Sequence, residues 1–423
     1  MRLTMRTTGV LGALLVLPAA LAAQQANASA AAYGMGNNYT ATARNNDAVA
    51  WNPAALGLSD RKKFTMQIGG VGSGFGFSPI GMSDFKDFEG KQIPRATREQ
   101  WLTDVRDNGG EEGTGDAGFN WLSMNIGRFG FQASTAAAAT MNLNGDAFET
   151  VMFGNAGLTG TPRDLVFEGS SMRMAAMTTF AVSSAFALPK RGDAEQALGI
   201  TGKYVLGHFM LAAQDNGTSI TADNIGLKFP IAHTNTDDAG NAGSGFGVDL
   251  GYIRRSGKTS IGATLKNVLN TLSWDEAKLV SREGIASFDG NTNSANFDEQ
   301  DYDLAPAVLK QAVSDYKLAP ALAVGIAHEW RADMLLSADV QQQFGDDNSL
   351  IIGPKTQVGG GIEYRKFPVL PLRAGVAYVT DGFALSGGAG LRIGSYELGA
   401  GVRYRNRSGS GDVGFMLGLV NIW

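Results

Sequence analysis

The sequence predicts an all-β fold, an antiparallel transmembrane β-barrel of about fourteen strands. Three observations predict it. Long stretches alternate apolar with small or charged residues, the connections between them alternate short with long, and an alternating final strand ends on an aromatic residue, Trp423.

The alternation is clearest in the C-terminal third. Val358, Ile362 and Tyr364 alternate with Gln357, Gly359, Gly361, Glu363 and Arg365, and Leu398, Ala400, Val402 and Tyr404 alternate with Glu397, Gly399, Gly401, Arg403 and Arg405. A period of two with one apolar face marks a strand. In a soluble sandwich that face would point inward, whereas in a membrane barrel it points at lipid and the polar face lines the lumen.

Loop lengths decide between the two. Strands read near 62–77, 119–127, 130–143, 167–189, 196–213, 244–254, 258–272, 318–330, 332–344, 355–366, 370–380, 383–393, 395–407 and 410–423. Short turns near 128–129, 190–193, 255–257, 331, 367–369 and 394 separate longer connections near 78–118, 144–166, 214–243, 273–317 and 345–354, with two shorter ones at 381–382 and 408–409. Short periplasmic turns facing longer outer loops are the pattern of bacterial barrels. Ser219 to Phe229 also reads as a strand, and belongs to an outer hairpin, because counting it as a span would put the 273–317 loop on the periplasmic side.

The two chain ends fit an exported barrel. Arg2 and Arg6, an apolar run from Val10 to Leu17 and the small-residue stretch Ala20-Leu21-Ala22 have the layout of a cleavable signal peptide over 1–22. That run is too short to span a bilayer as a helix. In the last strand Val413, Phe415, Leu417 and Leu419 share the parity of Trp423. Such a strand is expected to be read by the barrel assembly machinery, with outer-membrane lipid around the finished wall and the cell outer membrane as the location.

Composition excludes several classes. No cysteine is present, so an exported form holds no disulfide. A net charge of −5 argues against nucleic acid as a partner. Three histidines leave no catalytic cluster: His328 lacks the second histidine four residues on that a helical zinc site needs, and no G-x-S-x-G elbow occurs. Neither an enzyme nor a cofactor is expected. The acidic stretch of Asp289, Asp298, Glu299 and Asp301 places oxygen ligands near one another, but Ser294 and Gln300 stand where a calcium loop needs glycine and a bidentate glutamate, so no metal is assigned. Lumen-facing charges of both signs, among them Lys203, Asp249, Lys266, Asp339, Glu363, Arg365, Arg373 and Arg403, predict a paired network bracing the wall. The glycine clusters at 72–76 and 243–247 predict crowding or bending of strands.

Residues 23–61 precede the first strand, and from Tyr33 to Leu58 they are small, polar and aperiodic, which suits a plug inside the barrel of 62–423. The run Asp47-Ala48 followed by Trp51-Asn52-Pro53-Ala54-Ala55-Leu56 resembles the N-terminal hatch of FadL-type long-chain fatty-acid transporters and of the related PorV-like barrels. The stretch 147–155 is also similar to an outer-loop segment of PorV-like relatives. The resemblance implies fourteen strands around a hatch to which Asn52, Pro53 and Ala54 belong.

From these features the expected function is passive uptake of a hydrophobic or amphipathic, fatty-acid-like small molecule through a hatch-gated barrel. Apolar residues of the outer loops, Phe85, Phe88, Trp101, Phe148, Met152 and Phe153, are candidates for a first capture groove or for simple loop packing. Leu304, Val308, Leu309 and Val313 suggest an amphipathic outer helix. The alternative is a PorV-like barrel that does not transport but assists secretion or surface attachment of other proteins.

Overall fold

The fold was analysed in a computed structural model that describes residues 29–422 apart from 155–157, 160–163, 222–223, 239, 290–292, 346–348, 351–352, 381 and 408–409. The expected signal peptide and Trp423 lie outside the described residues.

Fourteen long strands form the wall: β1 (Phe64–Ser78), β2 (Glu111–Ile126), β3 (Phe129–Leu143), β4 (Ser171–Arg191), β5 (Ala194–Gln214), β6 (Gly243–Ser256), β7 (Thr259–Asn270), β8 (Ala321–Arg331), β9 (Met334–Gln343), β10 (Thr356–Tyr364), β11 (Leu372–Val379), β12 (Gly382–Ile393), β13 (Tyr396–Arg407) and β14 (Ser410–Ile422). Each pairs antiparallel with its sequence neighbour, and β1 pairs with β14 from Met66↔Ile422 to Phe75↔Val413. That last ladder closes the barrel and removes the open edges that an exposed sheet would present.

Closure sets two faces. Along β4, Phe180, Val182 and Phe186 point out and are exposed, while Thr179, Ala181, Ser183 and Ala185 point in and are buried. The same parity puts Leu198, Ile200, Leu250, Ile261, Val376, Leu385 and Val402 on the outside. An outward apolar band over an inward face of small and polar residues is the arrangement that a lipid bilayer stabilises. No described helix is long and apolar enough to cross a membrane.

Two loop boundaries differ from the sequence reading. The first outer loop ends at 110 rather than 118, because Glu111 to Gly118 continue β2 and pair with β1 and β3, as in Ser78↔Glu112 and Thr114↔Thr140. The second runs on to 170, since β4 begins at Ser171. The outer loops carry their own structure. Helices α1 (Ala30–Gly34) and α2 (Ala48–Trp51) belong to the N-terminal segment, while α3 (Met82–Lys86), α4 (Arg95–Asp107), α5 (Gly145–Phe153) and α6 (Ala307–Asp315) lie in the loops. Segments 219–220 and 224–228 form the expected outer hairpin, inside a separate five-stranded sheet with 165–166, 285–289 and 293–296. The expected amphipathic helix is α6, which buries Leu309 and Val313 beside Trp274 and Tyr316, while Leu304 lies in the turn before it and is exposed.

Candidate functional site: the plugged lumen

Residues 29–58 fill the lumen, and their local chemistry explains how so irregular a segment keeps one shape. Ser29 caps α1, its hydroxyl accepting from the Ala32 N–H. At Asn52 the chain turns from α2 into a 3₁₀ helix over Pro53–Gly57. The Asn52 side-chain oxygen accepts from the Ala54 N–H at 3.1 Å, and Pro53 takes the first helical position, where its missing N–H costs nothing. The Asn52 amide nitrogen donates to the Thr40 carbonyl at 3.2 Å and to the Tyr252 carbonyl of β6 at 3.1 Å. One buried side chain therefore caps a turn, joins two parts of the plug and ties the plug to the wall.

The wall is shaped to receive this segment. A Cβ added at Gly199 would lie 2.2 Å from the Ala54 nitrogen, one at Gly251 2.4 Å from the Asn52 Oδ1, and one at Gly375 2.3 Å from the Met35 carbonyl carbon. These positions need glycine because plug atoms, backbone at Gly199 and Gly375 and the Asn52 side chain at Gly251, occupy the space of a side chain. Crowding also explains the glycine cluster of β6, where a Cβ at Gly245 would meet Leu272 at 2.4 Å.

Polar wall side chains aim at plug backbone. Asp339 accepts from the Tyr39 and Thr40 N–H groups at 3.0 and 2.8 Å. Gln341 donates to the Asn37 carbonyl at 2.7 Å, Gln357 to the Gly36 carbonyl at 2.9 Å and Ser123 to the Asn46 carbonyl at 2.9 Å. Buried backbone groups of an aperiodic segment need such partners, since no ladder serves them. Asp47 holds a different kind of contact. Its carboxylate accepts from the Ser29 and Tyr39 hydroxyls, and burial pushes its pKa up to about 6 against the opposing pull of those hydrogen bonds.

Part of the expected brace of lumen charges is present, while Lys266 and Arg403 lie over the Trp51 and Tyr33 rings and Asp339 serves the plug backbone. Arg373 joins Glu363 at 2.9 Å and Glu397 at 3.0 Å, Arg392 joins Glu397 at 2.7 Å, and Arg365 also pairs with Glu363. Lys203 and Asp249 form a second buried pair at 2.5 Å. At the short-turn end Arg44 and Asp60 of the N-terminal segment meet Arg255 and Glu195 of the wall. Asp60 bridges both arginines, and Arg255 reaches Glu195 at 2.9 Å.

The plug divides the lumen. On the short-turn side a cavity of about 480 Å³ is lined by charges, including Arg44, Asp193, Glu195, Arg255, Lys258 and Glu329. On the outer side a cavity of about 160 Å³ has a mixed lining, with Tyr33, Trp51, Leu322 and Met416 beside Gln341, Gln357, Lys266 and Arg403.

All six outer-loop candidates come together in one cluster. Trp101 and Phe148 are buried in it, with Ile80, Leu102 and Val105, and Phe85, Phe88, Met152 and Phe153 pack against them. Phe85 and Phe88 lie 4.9 and 5.9 Å from the Trp101 ring. These residues fill one another's space, as a loop core does. Among the described residues no group of three potential metal ligands occurs, and Glu299 of the acidic stretch is paired with Arg282 at 2.8 Å. Residues 290–292 of that stretch lie outside the described residues.

No family model matches the chain, and no curated relative does. Solved structures do. The Pseudomonas putida toluene transporter TodX covers 94% of this chain with 99% of its own, at 11% identity and a TM-score of 0.53. The Ralstonia pickettii toluene transporter TbuX gives 94%, 99%, 14% and 0.50, and the monoaromatic hydrocarbon channel CymD 95%, 98%, 12% and 0.51. The fold is that of these toluene-transporter and hydrocarbon-channel barrels. At 11–14% identity what the chain shares with them is the fold.

Proposed function

We propose that the chain is an outer-membrane channel for passive uptake of hydrophobic or amphipathic small molecules, fatty-acid-like in having an apolar body, through a barrel gated by its N-terminal segment. The observation that carries this reading is the plugged, closed fourteen-strand wall with an apolar outer band, in a fold it shares with toluene transporters. In this reading 1–22 is a signal peptide, the last strand ending on Trp423 is the assembly signal, and outer-membrane lipid surrounds the band.

Gating falls to Asn52, Pro53 and Ala54. The support for this is that Asn52 fastens its turn to the wall at the Tyr252 carbonyl and to the Thr40 carbonyl of the segment that lines the outer cavity. Capture falls to Phe85, Phe88, Trp101, Phe148, Met152 and Phe153, whose cluster has to part for an apolar solute to enter it. An apolar solute gains about 0.8 kcal/mol per methylene buried there.

One observation favours the second reading, a PorV-like barrel that assists secretion or surface attachment. The outer cluster is packed, and exposed apolar residues such as Val151 and Leu304 lie on the outer surface, as a protein-binding face requires. Uptake of a labelled apolar solute by cells making the intact chain, Asn52→Ala, or a form lacking 33–58 separates the two. Uptake above that of cells without the chain, altered by both changes, supports the channel. Background uptake together with a protein copurifying from the cell surface supports the second reading.

A further inference from the structure

We infer that the outward face of the wall at the short-turn ends of β6, β7 and β8 binds the headgroup of an anionic phospholipid, with Arg254, Arg331 and His328 around its phosphate. This needs the wall to stand in a bilayer with its short turns at the periplasmic leaflet, and is independent of what the barrel carries.

The two faces of this corner differ in charge. Its carboxylates lie on the lumen side, where Asp60, Asp193, Glu195 and Glu329 line the charged cavity. Asp333 shares the parity of Leu335, which lines that cavity too. The outward face carries cations and no acid. Arg254 shares the parity of the exposed Leu250 and alternates with the buried, inward Ile253. Its neighbour Arg255 takes Asp60 and Glu195, whereas no carboxylate among the described residues pairs with the exposed Arg254. Arg331 is exposed and lies 5.5 Å from the ring centre of Trp330, itself 57% exposed.

Strand register gathers these groups. Arg254 lies opposite Ile261 and Ile261 opposite Ile326, while one step nearer the turns Ser256 lies opposite Thr259 and Thr259 opposite His328. With strands about 4.8 Å apart, Arg254 and His328 stand roughly 12 Å apart across β7, a gap that the arginine side chain and one headgroup close. The Thr259 hydroxyl bonds His328 Nδ1 at 2.9 Å. When that hydroxyl donates, the neutral ring carries its proton on Nε2 and offers it as a further donor.

The surroundings select a lipid rather than a free anion. Leu198, Leu250, Ile261, Val324 and Ile326 lie directly above, exposed and apolar, and continue into the outward band that faces acyl chains. Trp330 has the amphipathic ring that settles at headgroup level. Guanidinium groups match phosphate oxygens in geometry and charge. A zwitterionic headgroup would add an ammonium that no outward carboxylate at this corner receives, so a phosphate joined to neutral glycerol fits better.

The test is fluorescence quenching of the purified full chain in phosphatidylcholine vesicles that carry a fraction of acyl-brominated lipid, either phosphatidylglycerol or phosphatidylcholine. The Trp330 share is the difference between each chain and its Trp330→Phe form. Brominated phosphatidylglycerol is expected to associate about threefold or more strongly than its phosphatidylcholine counterpart, and Arg254→Gln combined with Arg331→Gln to reduce that preference below about 1.5-fold. Arg254→Gln alone should roughly halve it and decides the matter if the double variant does not fold. Arg128→Gln removes an exposed cation of the β2–β3 turn, well over a Debye length away, and should leave it within about 1.5-fold. Equal association of the two lipids, a preference untouched by the Arg254 and Arg331 substitutions, or an equal loss with Arg128→Gln overturns the proposal. The two readings fail separately: equal quenching by both lipids removes this site alone, and quenching of Trp330 by neither removes the lipid-facing wall as well.

Discussion

Replacing Asn52 by Ala removes three hydrogen bonds from one buried point, the donations to the Thr40 and Tyr252 carbonyls and the acceptance from the Ala54 N–H. Each orphaned buried group costs about 1–3 kcal/mol unless water reaches it. The side chain is fully buried but polar cavities lie on both sides of the plug, so water recovers part of that cost. A net weakening of plug docking of about 2–4 kcal/mol is expected, equivalent to a roughly 30- to 1,000-fold rise in local opening. The wall keeps its ladders, so heat-modifiable migration of the barrel should not change. Amide hydrogen exchange reads the effect directly: residues 45–58 should exchange faster by that factor while β4 to β6 stay protected. Unchanged exchange in 45–58 would refute the view that Asn52 fastens the plug. Loss of protection in the wall as well would refute the view that wall and plug are separable.

Other substitutions test neighbouring parts of the account. Gly199→Ala places a methyl where the Ala54 nitrogen lies 2.2 Å away, and should open the same plug segment in exchange experiments without unfolding the barrel. The Asp47 carboxyl is raised from 3.8 to about 6, so the docked plug holds a proton that the free segment has lost between those values. Its contribution is therefore full below pH ~4 and is lost as pH rises through ~6. Plug opening, read from exchange corrected for the intrinsic pH dependence of the amide rate, should rise across that window in the native chain and stay flat in Asp47→Asn. Arg255→Ala breaks the contacts to Asp60 and Glu195, which are partly exposed, and should loosen the short-turn end by only about 1 kcal/mol, less in high salt. Trp101→Ala removes the ring between Phe85 and Phe88 and should cost the outer cluster about 3–5 kcal/mol, seen as faster proteolysis of the 79–110 loop.

The wall was legible in the sequence because lipid on one side and a crowded lumen on the other force a period of two. Both β12 and β13 show it residue by residue, and the long–short alternation of loops supplies the count. The signal fades where the strand leaves the apolar band. Glu111-Glu112-Gly113-Thr114-Gly115-Asp116 is strand held by pairing with Phe77 and Ser78 on one side and Thr140 to Leu143 on the other, and its polar, glycine-rich composition hides this. The plug was legible as a place and not as a mechanism. Small, aperiodic residues before the first strand mark a segment that fits inside, but the partner of Asn52 is a carbonyl 200 residues away, and those of Tyr39 and Thr40 are on Asp339.

The central claim is that this plugged barrel carries apolar solutes inward. Its most direct test is entry of radiolabelled toluene into cells that make the intact chain, Asn52→Ala, or no barrel at all, with surface levels matched. The account predicts uptake above background for the intact chain and a changed rate for Asn52→Ala. Uptake equal to that of cells without the barrel, in both forms, would contradict it.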